Sequence, residues 1–209
     1  VDREANAVSN LGSAQGHQGR HDEALQSYGA AVAIYRAAGG KPRGLSFALS
    51  NLGHNLMILG RAGEARVAFE EAASIARAVP SPRAIALALG NLGIIAIDEG
   101  RLDDARPLLA EAIDLSAGID PRFEGAFVAE RARLELARGE DPSRSLARAR
   151  ALLGSAGADA DRARLTCLEA EILASRGRRA EALALLDALP ADPDLAPRLA
   201  RARAAVTGV

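Results

Sequence analysis

Tryptophan is missing from this sequence, and aromatic residues make up only 3% of it. A core without large rings has to be assembled from many small aliphatic contacts, and the dominance of Ala, Leu and Arg favours helices over strands. One cysteine, Cys167, leaves no intrachain disulfide framework and agrees with a reducing, cytoplasmic setting. An excess of either charge is also lacking: 26 Lys and Arg stand against 27 Asp and Glu. No net field therefore recommends nucleic acid or an anionic membrane as partner. Arginines crowd 131–150 and 176–203, but Glu135, Glu140, Asp141, Glu181 and Asp187 interleave with them, the pattern of solvated helix faces. No apolar run approaches the roughly 20 residues of a membrane-crossing helix.

Signs of catalysis are equally scarce. There is no glycine-rich phosphate loop, and His17, His54 and Cys167 lack the spacing of metal ligands. Neither cofactor nor metal is expected. Ser50, His54 and Asp98 spell a hydrolytic triad on paper. Successive helices lie about 10 Å apart, however, and no oxyanion-forming turn accompanies these residues. The chain reads as non-enzymatic.

What is present is a repeat. The triplet Asn-Leu-Gly ends at Gly12, Gly53 and Gly93, a spacing of 41 and then 40 residues. The register continues through Gly19, Gly60 and Gly100, then Ala24, Ala65 and Ala105, then Tyr28, Phe69 and Leu109. Self-similarity at such a period marks a stacked array of helix pairs. Gly19, Gly60 and Gly100 sit where a first helix should stop. Ser81-Pro82 and Asp120-Pro121 each offer a capping side chain followed by proline at the first helical position, and Pro42 does the same for the second pair. Pro107 is a misfit that predicts a kink or late start in its helix. Glycine in mid-helix costs about 1 kcal/mol relative to alanine. Its recurrence at Gly12, Gly53 and Gly93 is expected to let Ala24, Ala65 and Ala105 approach closely, so that Gly53→Leu should open its hairpin.

The Leu-Gly pair followed by Ala and an aromatic four residues on resembles the tetratricopeptide repeat. Leu11-Gly12, Ala24 and Tyr28 carry the likeness, as do Leu52-Gly53, Ala65 and Phe69, and then Leu92-Gly93 and Ala105, with Leu109 in the aromatic place. The period is longer than the usual repeat of about 34 residues and is similar to the extended variant of kinesin light chains and many bacterial regulators. The resemblance implies an all-α fold, a right-handed α-α superhelix of about five helix-turn-helix repeats with a C-terminal capping helix. The expected repeats are 2–40, 42–79, 82–118, 121–155 and 159–190, with a cap over 194–207, in one solenoid domain spanning 1–209. The fourth keeps Gly139 and puts Ala132 in the small-residue slot, with its second helix out of register. The fifth keeps Gly177, Ala182 and Leu186. Because the chain begins at Val1 rather than Met, it is expected to be part of a longer protein.

In proteins of this family one face of each first helix lines a concave groove for peptides or partner segments. Carried onto this chain, that face holds Asn6, Ser9, Ser13 and His17 in the first repeat and Phe47, Ser50, His54, Met57 and Ile58 in the second. Leu87, Ile94, Ile97 and Asp98 follow in the third and Arg133 and Leu136 in the fourth; Arg164, Cys167 and Glu171 belong to the fifth. The middle is apolar, and the stretch 84–97 is hydrophobic on every side, so either a partner or adjacent repeats should cover it. The resemblance implies a scaffold that binds a protein or peptide, as a regulatory module of a larger bacterial signalling protein. A ligand-sensing domain of a transcriptional regulator or kinase, and a homo-oligomerising module, are the alternatives.

Overall fold

The computed structural model describes residues 2–37, 39, 41–156, 159–190 and 195–208. These contain helices and no strand, in two compact units, Val1–Ser116 and Ala117–Val209. The first unit comprises α1 (Asp2–His17), α2 (His21–Ala37), α3 (Pro42–Ile58), α4 (Ala62–Ala78), α5 (Pro82–Asp98) and α6 (Leu102–Ser116). The second comprises α7 (Pro121–Ala137), α8 (Ser143–Ala156), α9 (Asp159–Ser175), α10 (Arg179–Asp187) and α11 (Ala196–Thr207). Consecutive helices pair as hairpins, five among the described residues; α11 packs more on α9 than on α10, whereas α3 packs more on α2 than on α1. The fold is all-α and repetitive. Gly40 and Asp194, the expected end of the first repeat and start of the cap, lie outside the described residues.

Each first helix stops in the same way. In α3 the Gly60 N–H donates to the Met57 carbonyl at 3.0 Å and the Arg61 N–H to the Leu56 carbonyl at 2.8 Å, with Gly60 at φ +73°. This is the paired closure that a left-handed residue makes possible without a Cβ clash. Gly19, Gly100, Gly139 and Gly177 repeat it. An arginine follows the glycine in four of the five turns and pairs with an acid three residues on: Arg20 with Glu23, Arg61 with Glu64, Arg101 with Asp104 and Arg178 with Glu181. The fourth turn has Glu140 instead, held by Arg138 Nε at 2.9 Å.

Helix starts are less uniform than the proline-led dipeptides predict. Asp120 caps α7, its carboxylate accepting from the Arg122 and Phe123 N–H groups at 3.2 and 3.4 Å. Ser81 is buried and makes no capping bond, so Pro82 alone marks the start of α5. α6 begins at Leu102, level with Ala62 of α4, and runs through Pro107 unbroken, so no late start occurs. Pro107 is exposed, on the side where a carbonyl without its helix donor can be hydrated.

The residue that lies against each mid-helix glycine is not the alanine. A Cβ at Gly53 would stand 2.8 to 3.0 Å from the Phe69 ring, at Gly93 2.8 Å from Leu109, and at Gly12 3.0 Å from the Tyr28 ring. Glycine is thus the seat of the large side chain sixteen residues on, and Ala24, Ala65 and Ala105 are fully buried one turn before it. A second slot lies seven residues before the first, two turns away on the same face. Ala5, Ser46, Ala86, Gly125 and Ala163 occupy it, and Gly12, Gly53, Gly93, Ala132 and Ala170 occupy the first; all ten are buried. Ser46 Oγ donates to the Ala72 carbonyl of α4 at 2.9 Å, and Gly125 lies against Leu153.

Two alanine substitutions separate sterics from helix propensity. Gly53→Ala drives a methyl into Phe69 and should destabilise by about 1 to 3 kcal/mol, as overpacking does. Gly29→Ala in α2, where nothing lies within 4 Å, should stabilise by about 0.5 to 1 kcal/mol. Chemical denaturation of both variants checks this; shifts of the same sign would refute the packing role of Gly53.

Candidate binding groove

The first helices α1, α3 and α5 place the expected groove residues at three levels. α3 packs against α5, and their glycine slots coincide. Phe47 therefore lies level with Leu87 and His54 with Ile94. A third level carries Ile58, Asp98 and, on α1, His17. The levels are seven and four residues apart, about 10 and 6 Å along the helix axis. His17, His54 and Asp98 are exposed; Phe47, Leu87 and Ile94 are half-buried.

Other expected members are already engaged within the unit. Ser50 is buried and its Oγ donates to the Ser46 carbonyl at 3.0 Å, which commits the hydroxyl of the paper triad to its own helix. Ile97 is 8% exposed. Met57 packs against the cluster of Leu56, Ala65, Phe69 and Ile95. Their spacing puts them on the groove face, but the tight packing of neighbouring hairpins closes over that edge. The candidate face of the first unit therefore exposes less apolar surface than the sequence implies.

In the second unit the corresponding face is covered by α11. Cys167 is fully buried in a cluster with Leu186, Leu195, Ala202 and Val206, and burial pushes its thiol pKa up. Arg133, expected as an anchor for a partner, is 6% exposed and bonded to Glu130 at 2.8 Å. Arg198 of α11 reaches the other oxygen of Glu130 at 2.7 Å. Arg201 stands 3.8 Å from Glu171. Burial opposes ionisation of Glu130, but Arg198 and Arg133 outweigh it and the pKa falls to about 2. At Glu171 burial prevails over the arginines and raises the pKa. Glu124 and Asp161 are buried too, paired with Arg148 and Arg122 at 2.6 Å each. Of the interleaved charges over 131–150 and 176–203, Glu140, Asp141, Glu181 and Asp187 are exposed and Arg133 is buried; Glu124, Glu130 and Asp161, outside those stretches, are buried as well. Which acids are buried depends on how the helices of this unit pack, and local sequence does not carry that signal.

Among the described residues no group of His, Cys, Asp and Glu is placed to hold a metal, and no helix is long and apolar enough to cross a membrane.

Family profiles of the tetratricopeptide repeat match residues 5–41 and 44–117. Together they take in more than half of the chain, which belongs to the tetratricopeptide-repeat family, in its long-repeat variant. Solved structures share the fold. A Podosopora anserina protein described as a kinesin light chain with nearly identical TPR-like repeats aligns with a TM-score of 0.65 at 17% identity, over 98% of this chain and 97% of that one. BtubC (BKLC) from P. vanneervenii aligns at 0.69 and 19%, over 100% of this chain and 83% of its own. Rap protein complexed with Competence and Sporulation Factor aligns at 0.76 and 12%; the match covers 98% of this chain but 55% of Rap. No curated protein sequence matches.

Glu130 titrates near 4.5 when unfolded and near 2 when folded. Its ion pairs therefore stabilise the fold above pH 4.5, and that contribution is lost as pH falls towards 2. At neutral pH Glu130→Gln should cost about 3 to 5 kcal/mol, because two guanidinium groups lose their acid. Melting curves of the wild type and this variant should converge on acidification; a constant gap would refute the pairing.

Proposed function

We propose that the chain is a non-enzymatic protein-interaction scaffold whose first unit takes a peptide or helical segment along α1, α3 and α5. The observation that carries this reading is the row of half-buried apolar side chains, Phe47, Leu87 and Ile94, flanked by exposed His17, His54 and Asp98. Full burial of three such side chains at about 1.5 to 3 kcal/mol each gives a gross gain below about 9 kcal/mol. Association costs about 4 to 15 kcal/mol. Apolar contact alone therefore leaves binding weak, and the imidazoles and the carboxylate must add hydrogen bonds for a useful affinity. Ser50, Met57 and Ile97 support the groove from within. A peptide-sensing role is the second reading, favoured by the likeness to Rap, whose solved structure holds Competence and Sporulation Factor.

Peptides selected from a displayed library on the whole chain test the site. They should bind with micromolar dissociation constants and lose about tenfold or more on Ile94→Glu, which buries a charge against the ligand. Val67→Glu, at a 60% exposed position on α4, should change nothing. Selected peptides indifferent to Ile94→Glu would overturn the assignment. A concentration-dependent dimer in light scattering that Ile94→Glu dissolves would instead make a second copy the occupant.

A further inference from the structure

A crevice of about 320 Å³ opens between the second helices α4 and α6, with α5 as its floor. Ala73, Leu89, Leu92 and Leu108 form its apolar part, and Arg66, Glu70, Arg77 and Arg101 its charged rim. The repeat itself explains why it is hollow. One hairpin earlier the place of Arg66 is taken by Leu25, which packs against the Phe69 cluster. The place of Ala73 is taken by buried Val32 one hairpin earlier and by buried Ile113 one hairpin later. Apolar volume is missing at two points of this junction, two turns apart on one face of α4.

Its charge is equally particular. Three guanidinium groups line the crevice against one carboxylate. Arg77 is engaged by Glu111 at 3.2 Å, and Arg101 by Glu99 and Asp104 at 2.6 and 2.8 Å. Arg66 and Glu70 have no ion pair or side-chain hydrogen bond among the described residues. A guanidinium that is bonded to no acid, beside an apolar floor, suits a single carboxylate on a hydrocarbon tail. Glu70, one turn along α4, repels a second negative charge and so disfavours phosphates and diacids.

We propose that this crevice binds a small amphiphilic monocarboxylate, its head on Arg66 and its chain on Ala73, Leu92 and Leu108. The volume falls at the lower end of small-molecule sites, about 300 to 1,000 Å³, which suits a medium-length chain. The site is separate from the groove on the first helices.

Methyl-resolved NMR of the whole chain titrated with octanoate tests it. The methyls of Leu92 and Leu108 should shift saturably, with a dissociation constant on the order of 1 mM for so small a ligand. Ala73→Val places in the crevice the side chain that Val32 supplies one repeat earlier. It should abolish the shifts while leaving the melting temperature at or above that of the wild type. Arg66→Leu, which reproduces the residue found at Leu25, should weaken octanoate about tenfold and leave octanol unaffected, and Ile94→Glu should alter neither. Shifts that persist in a folded Ala73→Val protein, equal responses to octanoate and octanol, or a titration that never saturates would each overturn the proposal.

Discussion

Every hairpin depends on the absence of side-chain bulk at two points of its first helix. At one point Gly12, Gly53 and Gly93 admit the large residue of the second helix, as Gly53 admits Phe69; seven residues earlier a second small residue is buried, and in the fourth hairpin Gly125 admits Leu153 there. Two turns separate the points, so both open on one face. A helix with two notches on one side can meet its sister in only one register. That register levels equivalent residues of successive first helices, and the rows Phe47 with Leu87 and His54 with Ile94 follow from it.

Much of this is legible in the sequence where the signal is local. The turn glycines are the clearest case, because a left-handed residue at a helix end is a demand of the backbone alone. The partner of Gly53 is less legible: Ala65 and Phe69 recur with the same period, and only packing decides which of them fills the notch. The slot at Ala5, Ser46, Ala86, Gly125 and Ala163 has no common letter, although its seven-residue distance from the glycine could have revealed it. Ser81 and Asp120 look alike before proline, yet only the second caps its helix; Ser81 is buried instead. Ile97 and Met57 fall on the groove face by periodicity, but their exposure depends on how tightly neighbouring hairpins close, a property of three helices together.

The two units are held by different forces. Buried polar residues of the first are serines and one asparagine; Ser46, Ser50 and Ser116 donate their hydroxyls to backbone carbonyls, and Asn55 its amide to the His21 carbonyl. Those of the second include Glu124, Glu130 and Asp161, tied across helices by Arg148, Arg198 and Arg122, and Arg133, which pairs with Glu130 on its own helix. Desolvated ions contribute directionality more than net stability, because their mutual attraction largely offsets the cost of leaving water. The face of the second unit that corresponds to the candidate groove of the first is taken up by its own last helix.

The scarcity of rings in the interior reaches beyond geometry. Alanines and glycines at the contacts expose little hydrocarbon on unfolding, and newly hydrated hydrocarbon is what raises the heat capacity of a denatured chain. A fold stitched together by small residues should thus have a shallow dependence of stability on temperature, neither sharply optimal in the cold nor quickly lost with warmth.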